Sequence, residues 1–571
     1  PSKILTHNLT GVEIDDRAGA LAAFALAMKA AARLGRRRFL RMQAKPDICV
    51  LSDVAFTPED VRDVAAVVGK DLFTDELRET LGQFEQAKNF GSLIVPKLRD
   101  PAETLRLVEA RDFGGDLLLK EVQERVVAVL RMAEALSPKY HVVVANPPYM
   151  GGKGMNGKLQ DFAKSKYPDS KSDLFAMFME RTLRMAAKRG MMAMINMQSW
   201  MFLSSFEKLR GNLLSSATLL SMAHLGERAF DTIGGAVVST TAFVFEKAHH
   251  PKLKGEYIRL VDGRSEAEKA SEMRKAMQDR SCGWLYRASA ADFEKIPGSP
   301  LAYWVSEAFR DTFPRSTLLG EFCDFRIGMA TGKNEWHVRQ WQEVSRNRTE
   351  FGAGSREVAK ASRRNWFPYA KGGEFRKWAG NEESLVNWEN DGALLQNTKH
   401  PTSDRIWAHN FNLSNIFKPA ICWTVVTTGR NGFRLHLDGF IFDAAAGLCQ
   451  PKTDVEIDYL LGLLNSKITE TALPLINPTL NLHPGYLSSL PGLGVKQIDQ
   501  VRSIRALAKS DWDAYETSWD FTTLPLLSPD HRGETLEDSY AALRTHWQSM
   551  TDEMQRLEEE NNRIFIDAYG L

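Results

Sequence analysis

Apolar runs alternate with helix-period segments through the first 250 residues. Short apolar runs typical of buried strands occupy residues 9–15, 47–51, 141–145, 191–196 and 236–246. Stretches typical of helices occupy residues 16–34, much of 58–136, and 172–189. The first is expected to stop at Gly35 and the last at Gly190. This alternation predicts an α/β fold with a doubly wound, mostly parallel, Rossmann-like sheet.

The pattern changes after residue 250. Residues 251–315 are polar with one helical stretch near 264–279, and they predict a connecting segment. Residues 316–500 include alternating strands such as 439–444 and predict an α+β domain, whereas 501–571 have helix-spaced apolar positions on an acidic background. The expected organisation is a first domain over 1–250, a connection over 251–315, a second domain over 316–500 and a helical C-terminal region over 501–571.

Polar side chains follow three of the predicted strands, at the point where each strand ends. They are Glu13, Asp53 and Asn146. Ligands of doubly wound sheets bind at the carboxyl ends of the strands. We therefore expect these three side chains to line one ligand site.

The tetrad Asn146-Pro147-Pro148-Tyr149 directly follows the strand at 141–145. An amino nitrogen attached to a ring or a carbonyl is a poor nucleophile because its lone pair is delocalised. The Asn146 carboxamide oxygen and the Pro147 carbonyl oxygen can accept both N–H bonds of such a nitrogen, and the prolines hold these acceptors rigid. Tyr149 offers a flat face on which a base can stack. The tetrad predicts methyl transfer to an amino nitrogen, and the alternative is a plain turn after a strand.

The two acidic strand ends indicate a nucleoside cofactor. Glu13 can accept two hydrogen bonds from ribose hydroxyls, as the acidic residue of dinucleotide-binding folds does. Asp53 is placed to contact the amino group of the cofactor's adenine. The alternative for both residues is an acid that begins the next turn, where Asp15 or Asp16 caps the following helix.

The composition argues against several other classes of protein. The 571 residues are 43% hydrophobic and 25% charged, which is typical of a globular chain. No apolar run approaches the ~20 residues that span a bilayer, so we expect no membrane partner. The five cysteines include no C-x-x-C pair, and the twelve histidines include no HxxxH pair. We therefore expect no disulfide framework, no metal site and a cytoplasmic location.

The net charge of +1 hides two opposed regions. Residues 346–377 contain nine Lys and Arg against three Glu, whereas residues 511–571 contain fourteen Asp and Glu against four Arg. Charge runs of opposite sign attract different molecules. We therefore expect the two regions to contact different partners.

Two basic segments are candidate contacts to nucleic-acid phosphates. The Gly-rich loop 151–158 carries Lys153 and Lys158, although a mobile surface loop is the alternative. The segment 363–378 interleaves aromatic residues with cations, and its candidate phosphate contacts are Arg363, Arg364, Lys371, Arg376 and Lys377. Its aromatic side chains are expected to stack on bases or to pack the floor of a groove. The alternative is a solvated charged face above ordinary core aromatics.

With these features together, the sequence resembles the adenine-specific DNA methyltransferases of the gamma motif order. Within them it is most similar to the PglX-type methyltransferases of bacteriophage-exclusion (BREX) defence systems. The resemblance covers nearly the whole chain and rests on residues 11–15, 48–53, 146–149, 172–175, 195–200, 226–230, 234–238, 328–334 and 559–571. In this family the first of these segments, here with Glu13 and Ile14, binds the ribose of S-adenosyl-L-methionine. The segment ending at Asp53 contacts the cofactor's adenine, and Asn146 lies beside the cofactor in the catalytic motif.

The resemblance implies transfer of a methyl group from S-adenosyl-L-methionine to N6 of a flipped adenine in double-stranded DNA, as a self/non-self mark in phage defence. It implies that residues 316–500 are a target-recognition domain that reads base edges in the major groove. Other proteins of the defence system and a phage-encoded inhibitor are further expected partners.

One feature departs from the family. The family carries a Gly-rich cofactor motif on the strand before the ribose-binding acid, but no such motif precedes Gly11 and no permuted copy follows it. We therefore expect the chain to be the C-terminal portion of a longer protein. By itself it should bind S-adenosylmethionine poorly.

Several alternatives share part of this evidence. Glutamine methyltransferases acting on release factors and some RNA methyltransferases also use Asn-Pro-Pro-Tyr, but they lack a large second module with a basic aromatic segment. A methyltransferase–nuclease fusion of restriction-modification type is a second alternative, although no nuclease motif is present in this sequence. A non-catalytic DNA-specificity subunit is the third, and the intact tetrad counts against it.

Overall fold

The computed structural model describes residues 2–41, 43–69, 71–113, 116–137, 140–231, 238–452, 455–477, 479–493 and 499–571. The chain is a mixed α/β protein that divides into two compact units, residues 1–291 and 292–571. The Gly-Gly segment at 234–237, one of those that carry the family resemblance, lies outside the described residues.

The first unit contains a small and a larger sheet. Its strands are β1 (Thr10–Glu13), β2 (Asp47–Val50), β3 (Tyr140–Ala145), β4 (Ala186–Met197), β5 (Thr218–Gly226), β6 (Thr240–Glu246), β7 (Gly255–Arg259) and β8 (Leu285–Ala288). Strands β1 and β2 form a parallel pair. The other strands form one sheet in the order β3-β4-β6-β5-β7-β8.

The helices of the first unit fall largely between these strands. They are α1 (Asp16–Leu34), α2 (Arg36–Leu40), α3 (Pro58–Val68), α4 (Asp75–Gln83), α5 (Ala87–Phe90), α6 (Pro101–Glu109), α7 (Leu117–Ala135), α8 (Gly157–Lys166), α9 (Leu174–Met185), α10 (Glu207–Ser216), α11 (Glu266–Gln278) and, at the boundary of the units, α12 (Ala290–Phe293). Helix α1 has the predicted bounds, because the Asp15 carboxylate caps its first turn and Gly35, at φ +72°, ends it.

The prediction of a mostly parallel sheet is wrong for the larger sheet. The pairs β3–β4 and β5–β7 are parallel, whereas β4–β6, β6–β5 and β7–β8 are antiparallel. Strand β6 comes back between β4 and β5, which places a reversed strand in the middle of the sheet. The alternation of strands and helices does not encode this reversal. The doubly wound arrangement stays a prediction.

The helix predicted over 172–189 is shorter than expected. Helix α9 ends at Met185, and Gly190 lies inside β4 instead of ending a helix. Ala186 pairs with Tyr140 and Met191 pairs with Val142, so the residues between form a bulge in which Arg189 has φ +60°. Pairing with the neighbouring strand overrides the helical period here.

The segment 251–315 is more than a connection. Its strands β7 and β8 extend the larger sheet next to β5, and α11 lies between them in the chain. The expected domain boundary at residue 250 therefore falls inside the first unit, which reaches residue 291.

The second unit is built on two four-stranded sheets and a short strand pair. Its strands are β9 (Thr317–Leu318), β10 (Cys323–Ile327), β11 (Val338–Gln340), β12 (Trp366–Ala370), β13 (Ser384–Asn387), β14 (Ala420–Thr424), β15 (Phe433–His436), β16 (Ile441–Phe442), β17 (Ala446–Pro451) and β18 (Pro491–Gly492). Their orders are β10-β17-β14-β15, β11-β13-β12-β16 and β9-β18.

The helices of the second unit include both short turns and long helices. They are α13 (Glu307–Arg310), α14 (Thr312–Arg315), α15 (Leu319–Phe322), α16 (Asn334–His337), α17 (Arg356–Ala361), α18 (Glu389–Asn397), α19 (Ile457–Leu464), α20 (Lys467–Ile476), α21 (Pro484–Ser488), α22 (Asp499–Asp513) and α23 (Leu536–Tyr569). Leu557 and Phe565 of α23 share one buried core with β14 and α19. The predicted helical region at 501–571 is therefore packed into the second unit.

A buried ion pair makes a pH dependence of the second unit expected. The Nδ1 atom of His436 is 3.1 Å from the Glu382 Oε1 atom, and both side chains are buried. Burial by itself lowers the pKa of His436, but hydrogen bonds to Cys422 and Glu382 outweigh it and raise this pKa to about 9. The protonated imidazole therefore stabilises the fold below pH 6.5, and this contribution is lost as the pH rises through 9.

We expect the free energy of unfolding of the second unit to fall by on the order of 2–3 kcal/mol between pH 6.5 and 9.5 because of His436. Urea denaturation at the two pH values measures this fall. In the Glu382→Gln variant the dependence should be weaker but still present, because the neutral amide no longer favours the imidazolium while the hydrogen bond to Cys422 remains. Equal pH dependence in the two proteins would contradict the assignment.

Candidate active site

The tetrad Asn146–Tyr149 lies at the carboxyl end of β3, as predicted. Asn146 and Pro148 are exposed, Pro147 is buried and Tyr149 is half-buried. Among the described residues, no donor reaches the Asn146 carboxamide oxygen or the Pro147 carbonyl oxygen. Both acceptors are therefore free for an N–H donor from outside the chain.

The segment 172–175 holds the chain just after the tetrad. The Asp173 Oδ1 atom accepts hydrogen bonds from the Met150 amide at 3.0 Å and from the Phe175 amide at 3.3 Å. The Leu174 amide donates to the Met150 carbonyl oxygen at 3.1 Å. Burial raises the pKa of Asp173, against the opposing effect of these backbone hydrogen bonds. Sequence reasoning placed this segment in the family pattern but gave Asp173 no role.

Tyr149 is oriented by the same segment. Its ring meets Phe175 edge to face, with the centroids 6.3 Å apart. Burial raises the pKa of Tyr149, so its phenol stays neutral near pH 7. The tyrosine face is therefore held by packing and is available for stacking.

A cavity of about 410 Å³ opens beside the tetrad. Its walls come from β1, β3, residues 89–93 and helix α9. The polar and aromatic lining residues include Glu13, Asn89, Phe90, Ser92, Asn146 and Phe178. Protein cavities of this size hold small-molecule ligands.

Three of the four predicted cofactor residues, Glu13, Ile14 and Asn146, line this cavity. The Glu13 Oε1 atom accepts hydrogen bonds from the amides of Ile14 at 2.8 Å and Asp15 at 3.2 Å. The other oxygen of Glu13 has no donor among the described residues and can accept from a ligand hydroxyl. The exposed Ile14 side chain lies next to it on the wall. One oxygen of Glu13 therefore serves the turn, as in the alternative, and its predicted contact to a ribose stays a prediction.

Asp53 has a different position from the one predicted. It is not among the residues that line the cavity, and its Oδ1 atom accepts a hydrogen bond from the Lys88 amide at 2.7 Å. The Lys88 ammonium in turn contacts the Ile14 carbonyl oxygen and the Asp16 carboxylate. Asp53 therefore fixes the start of α5, and its predicted contact to adenine stays untested.

The wall at residues 89–93 was missed by sequence reasoning. Gly91 has φ +54°, and a Cβ atom there would lie 3.0 Å from the Ile14 Cγ2 atom, so the backbone approaches β1 closely. The buried Arg181 guanidinium donates to the carbonyl oxygens of Ser92 and Ile94, each at 2.8 Å. The Tyr167 hydroxyl donates to the Leu93 carbonyl oxygen at 2.6 Å. The only sign of this wall in the sequence was an arginine, Arg181, within the segment that predicts an amphipathic helix.

The Gly-rich loop after the tetrad forms defined turns in the structure. Residues Gly152–Gly154 form one 3-10 turn, and the Gly152 amide donates to the Ser172 carbonyl oxygen at 3.2 Å. Lys153 and Lys158 are exposed, and neither has an ion-pair partner among the described residues. Both ammonium groups are therefore available to phosphates.

The basic aromatic segment of the second unit differs from its prediction. Trp366, Phe367, Tyr369 and Trp378 are buried, the first three as part of β12. The expectation that these four rings stack on bases is wrong, because they are buried in the core of their unit; that they pack the floor of a groove stays a prediction. The alternative weighed from the sequence, a charged face above core aromatics, is confirmed for these rings.

Two of the predicted phosphate-binding cations are ion-paired within their own unit. Arg376 binds the Asp511 carboxylate and lies over the Trp512 ring, with its guanidinium carbon 5.0 Å from the ring centroid. The Lys377 Nζ atom is 3.2 Å from a Glu558 carboxylate oxygen. The basic and acidic regions of the chain therefore neutralise each other in part, contrary to the expectation that they contact different partners.

Arg363 and Arg364 remain free, and the structure adds three cations to them. We define the basic patch as the exposed residues Arg346, Arg348, Lys360, Arg363 and Arg364. The Asn365 amide donates to the Arg348 carbonyl oxygen at 3.1 Å, and the Arg363 amide donates to the Lys360 carbonyl oxygen at 3.4 Å, which brings the patch together. No carboxylate pairs with these five side chains within the described part of the chain.

Lys371 is half-buried and lines a separate cavity of about 640 Å³ with Glu374, Glu383 and Asn381. Arg376 also lines this cavity but is already paired with Asp511, so the two carboxylates offset the Lys371 ammonium and leave little attraction for phosphate. Lys371 is therefore a weaker candidate than Arg363 or Arg364.

Comparison with known proteins places this chain in a family. Residues 7–230 match the model of the Eco57I restriction-modification methylase family. The chain is 36% identical over 585 residues to the adenine-specific methyltransferase PglX of Lacticaseibacillus casei (strain Zhang), with all of this chain aligned. It is also 36% identical over 602 residues to the adenine-specific methyltransferase BrxX of Escherichia coli O9:H4 (strain HS), again with all of this chain aligned.

Over its whole length this chain is similar to PglX and BrxX, two proteins named as adenine-specific methyltransferases. The alignments cover 48% of PglX and 47% of BrxX, so the chain spans about half the length of these curated relatives. The family resemblance predicted from the sequence is thus confirmed.

Solved structures give more distant matches. A nuclease-deletion mutant of the Type ISP restriction-modification enzyme LlaGI, in complex with a DNA substrate mimic, is 12% identical with a TM-score of 0.44, covering 92% of this chain and 46% of that chain. The Type IIL restriction-modification enzyme MmeI in complex with DNA is 12% identical with a TM-score of 0.37. The match covers 90% of this chain and 79% of that chain. Neither likeness supports a conclusion about this chain by itself.

The lining of the cavity beside the tetrad suits a nucleoside cofactor in its chemistry. It offers one free carboxylate oxygen at Glu13, an aromatic wall at Phe178 and a polar edge at Asn146, which match a ligand that combines hydroxyls with an apolar ring. In the described residues, no group of three or more His, Cys, Asp or Glu side chains could hold a metal ion. Likewise, no described helix is both long and apolar enough to cross a bilayer.

Proposed function

We propose that the intact protein transfers a methyl group from S-adenosyl-L-methionine to N6 of adenine in double-stranded DNA, as a self/non-self mark in phage defence. The observation that carries this proposal is the position of the tetrad. Its two free acceptors, Asn146 and the Pro147 carbonyl, belong to residues that line the same cavity as Glu13. The similarity to two adenine-specific methyltransferases supports the choice of substrate.

In this proposal each residue has a distinct task. Glu13 accepts a ribose hydroxyl of the cofactor with its free oxygen, and Ile14 and Phe178 pack beside it. Asn146 and Pro147 accept the two N–H bonds of adenine N6, which turns the nitrogen lone pair out of the ring. Tyr149 stacks on the base after it leaves the helix. S-adenosylmethionine supplies the electrophilic methyl group when it is bound.

No strong general base is needed for this reaction. The proton of N6 becomes acidic once the methyl group is in place, so it leaves to solvent. Positioning and hydrogen-bond polarisation supply most of the rate enhancement. Asp173 contributes to this positioning, because it holds the Met150 amide directly after the tetrad.

We further propose that Lys153 and Lys158 of the first unit, and Arg363 and Arg364 of the second, contact DNA phosphates. All four are exposed. Arg376 and Lys377 no longer belong to this set, because Asp511 and Glu558 already neutralise them. Residues 316–500 then remain the proposed target-recognition part of the second unit. Other defence proteins and a phage-encoded inhibitor stay predicted partners.

A methylation assay tests the function. The intact protein is incubated with labelled S-adenosylmethionine and genomic DNA from cells that lack adenine methylation, and the DNA is then sequenced for N6-methyladenine. We expect methylation at one short recurring sequence, and none with the Asn146→Ala variant. Label that enters a protein or RNA fraction and not DNA would overturn the proposal in favour of another amino-methylating enzyme.

A further inference from the structure

A hairpin and a neighbouring loop of the second unit form an exposed surface that the proposed chemistry does not use. We call residues 398–409 the reading hairpin and residues 328–337 the platform loop. Within the hairpin, the His400 amide donates to the Arg405 carbonyl oxygen, and the Trp407 amide donates to the Thr398 carbonyl oxygen, each at 2.9 Å. The hairpin is therefore a short two-stranded ribbon.

The platform loop holds the base of this ribbon. The amides of Ala330 and His409 donate to each other's carbonyl oxygens, both at 3.0 Å. Gly332 has φ +79°, and a Cβ atom there would lie 2.4 Å from the Trp407 ring, so only glycine allows this approach. Hairpin and loop are thus locked together before any ligand arrives.

An exposed tryptophan lies on this surface. Trp336 is 55% exposed, although a tryptophan buries the largest apolar area of any side chain. The Lys333 Nζ atom lies 4.4 Å from the centroid of its ring, and Trp407 meets it edge to face at 6.2 Å. The indole is held in place by these neighbours while one face stays accessible.

The exposed side chains of the hairpin, of the platform loop and of the residue after the hairpin include types that can bind base edges. Lys399, Arg405, His409, Asn334 and Asn410 are all exposed. Lys399 pairs with Asp404 at 2.8 Å, whereas Arg405 has no carboxylate partner among the described residues. Arginine binds guanine O6 and N7 in two contacts, and an asparagine amide binds adenine N6 and N7 in the same way.

From these observations we infer that the reading hairpin, which Trp336 contacts through Trp407, enters the major groove of duplex DNA and that Arg405 reads base edges there. A two-stranded ribbon has the width that the major groove admits. The inference rests on the proposed DNA methylation and adds the element that selects the site. The basic patch, in the same unit, supplies contacts that do not depend on sequence.

The two surfaces predict different effects of substitution, which makes the inference testable. The intact protein is compared with Arg405→Ala, Arg405→Lys, Trp336→Ala and the Arg363→Ala/Arg364→Ala double variant. Binding is measured by fluorescence anisotropy on a duplex with the methylated site and on a scrambled duplex, over a range of salt concentrations. The methylated sequences are read by sequencing.

For Arg405→Ala and Trp336→Ala we expect the ratio of specific to non-specific affinity to fall about 10–100-fold, with methylation spreading to sites that differ in one base pair. The affinity ratio of Arg405→Lys should lie between that of the wild type and that of Arg405→Ala. The Arg363→Ala/Arg364→Ala variant should instead bind both duplexes more weakly by the same factor. The slope of log affinity against log salt concentration should fall in magnitude by roughly 2.

Other outcomes distinguish a failure of the base-reading role from a failure of the proposed DNA methylation. If the wild type methylates a defined site and both hairpin variants keep its affinity ratio and its site, the base-reading role is overturned while the function stands. A uniform loss of affinity in the hairpin variants would also overturn base reading. If the wild type leaves DNA unmethylated, the proposed function itself fails.

Discussion

Replacing Asn146 by alanine in the intact protein should lower the rate of DNA methylation by about 10²–10³-fold or more. The substitution removes one of the two acceptors that polarise the amino nitrogen, and the Pro147 carbonyl alone cannot hold both N–H bonds. Asn146 is exposed and makes no described contact within the fold, so its removal should not unfold the protein. Single-turnover methylation of a duplex with the target site measures the effect.

Two comparisons sharpen this prediction. Asn146→Asp keeps an oxygen of the same shape at the same place, so it should retain more activity than the alanine variant. Asn212→Ala, on α10, removes an exposed amide that donates to the Asp169 carboxylate at 3.1 Å and does not line the cavity, so it should leave the chemical step nearly unchanged. Activity of Asn146→Ala close to that of the wild type would remove this residue from the mechanism.

Replacing Arg181 by methionine should destabilise the first unit by about 3 kcal/mol or more. The guanidinium donates to three buried carbonyl oxygens, those of Ser92, Ile94 and Leu136, the last at 2.6 Å. Methionine fills a similar volume but donates no hydrogen bond, so three acceptors lose their partner. Burial lowers the pKa of Arg181 to about 10, and the charged form persists near pH 7 because these carbonyls solvate it.

The same substitution should loosen the cavity wall at residues 89–93. Urea denaturation measures the loss of stability, and hydrogen exchange of the peptide spanning residues 88–95 measures the local effect. Arg184→Ala, on the same helix, is the matched control, because its side chain is half exposed and pairs with Glu180 at the surface. That control should change stability by less than about 1 kcal/mol. Equal denaturation midpoints for the two variants would contradict the role of Arg181.

Features within one segment were predictable from the sequence. The bounds of α1 follow from its capping Asp15 and its terminal Gly35, which act over one or two turns. The tetrad at the end of β3 follows from an apolar run and its next four residues. The resemblance that these segments carry led to the correct family. Each of these signals is local, so the pattern along the chain contains it.

Features that depend on pairing with distant segments were not predictable. The reversed strand β6, the bulge that shortens α9, and the two strands within 251–315 all depend on which strand lies next to which. The loop 89–93 becomes a wall of the cavity only because Arg181, nearly ninety residues later, binds its carbonyls. A periodicity argument carries no information about such partners.

The sequence by itself determined the chemistry at the strand ends: a rigid amide and carbonyl after β3, and a carboxylate on the last residue of β1. The tertiary structure decided which of the many cations are available to DNA. Arg376 and Lys377 look equivalent to Arg363 and Arg364 in the sequence, but carboxylates 135 and 181 residues further along neutralise the first two. The availability of a charge depends on its neighbours in space, and only the fold brings those neighbours together.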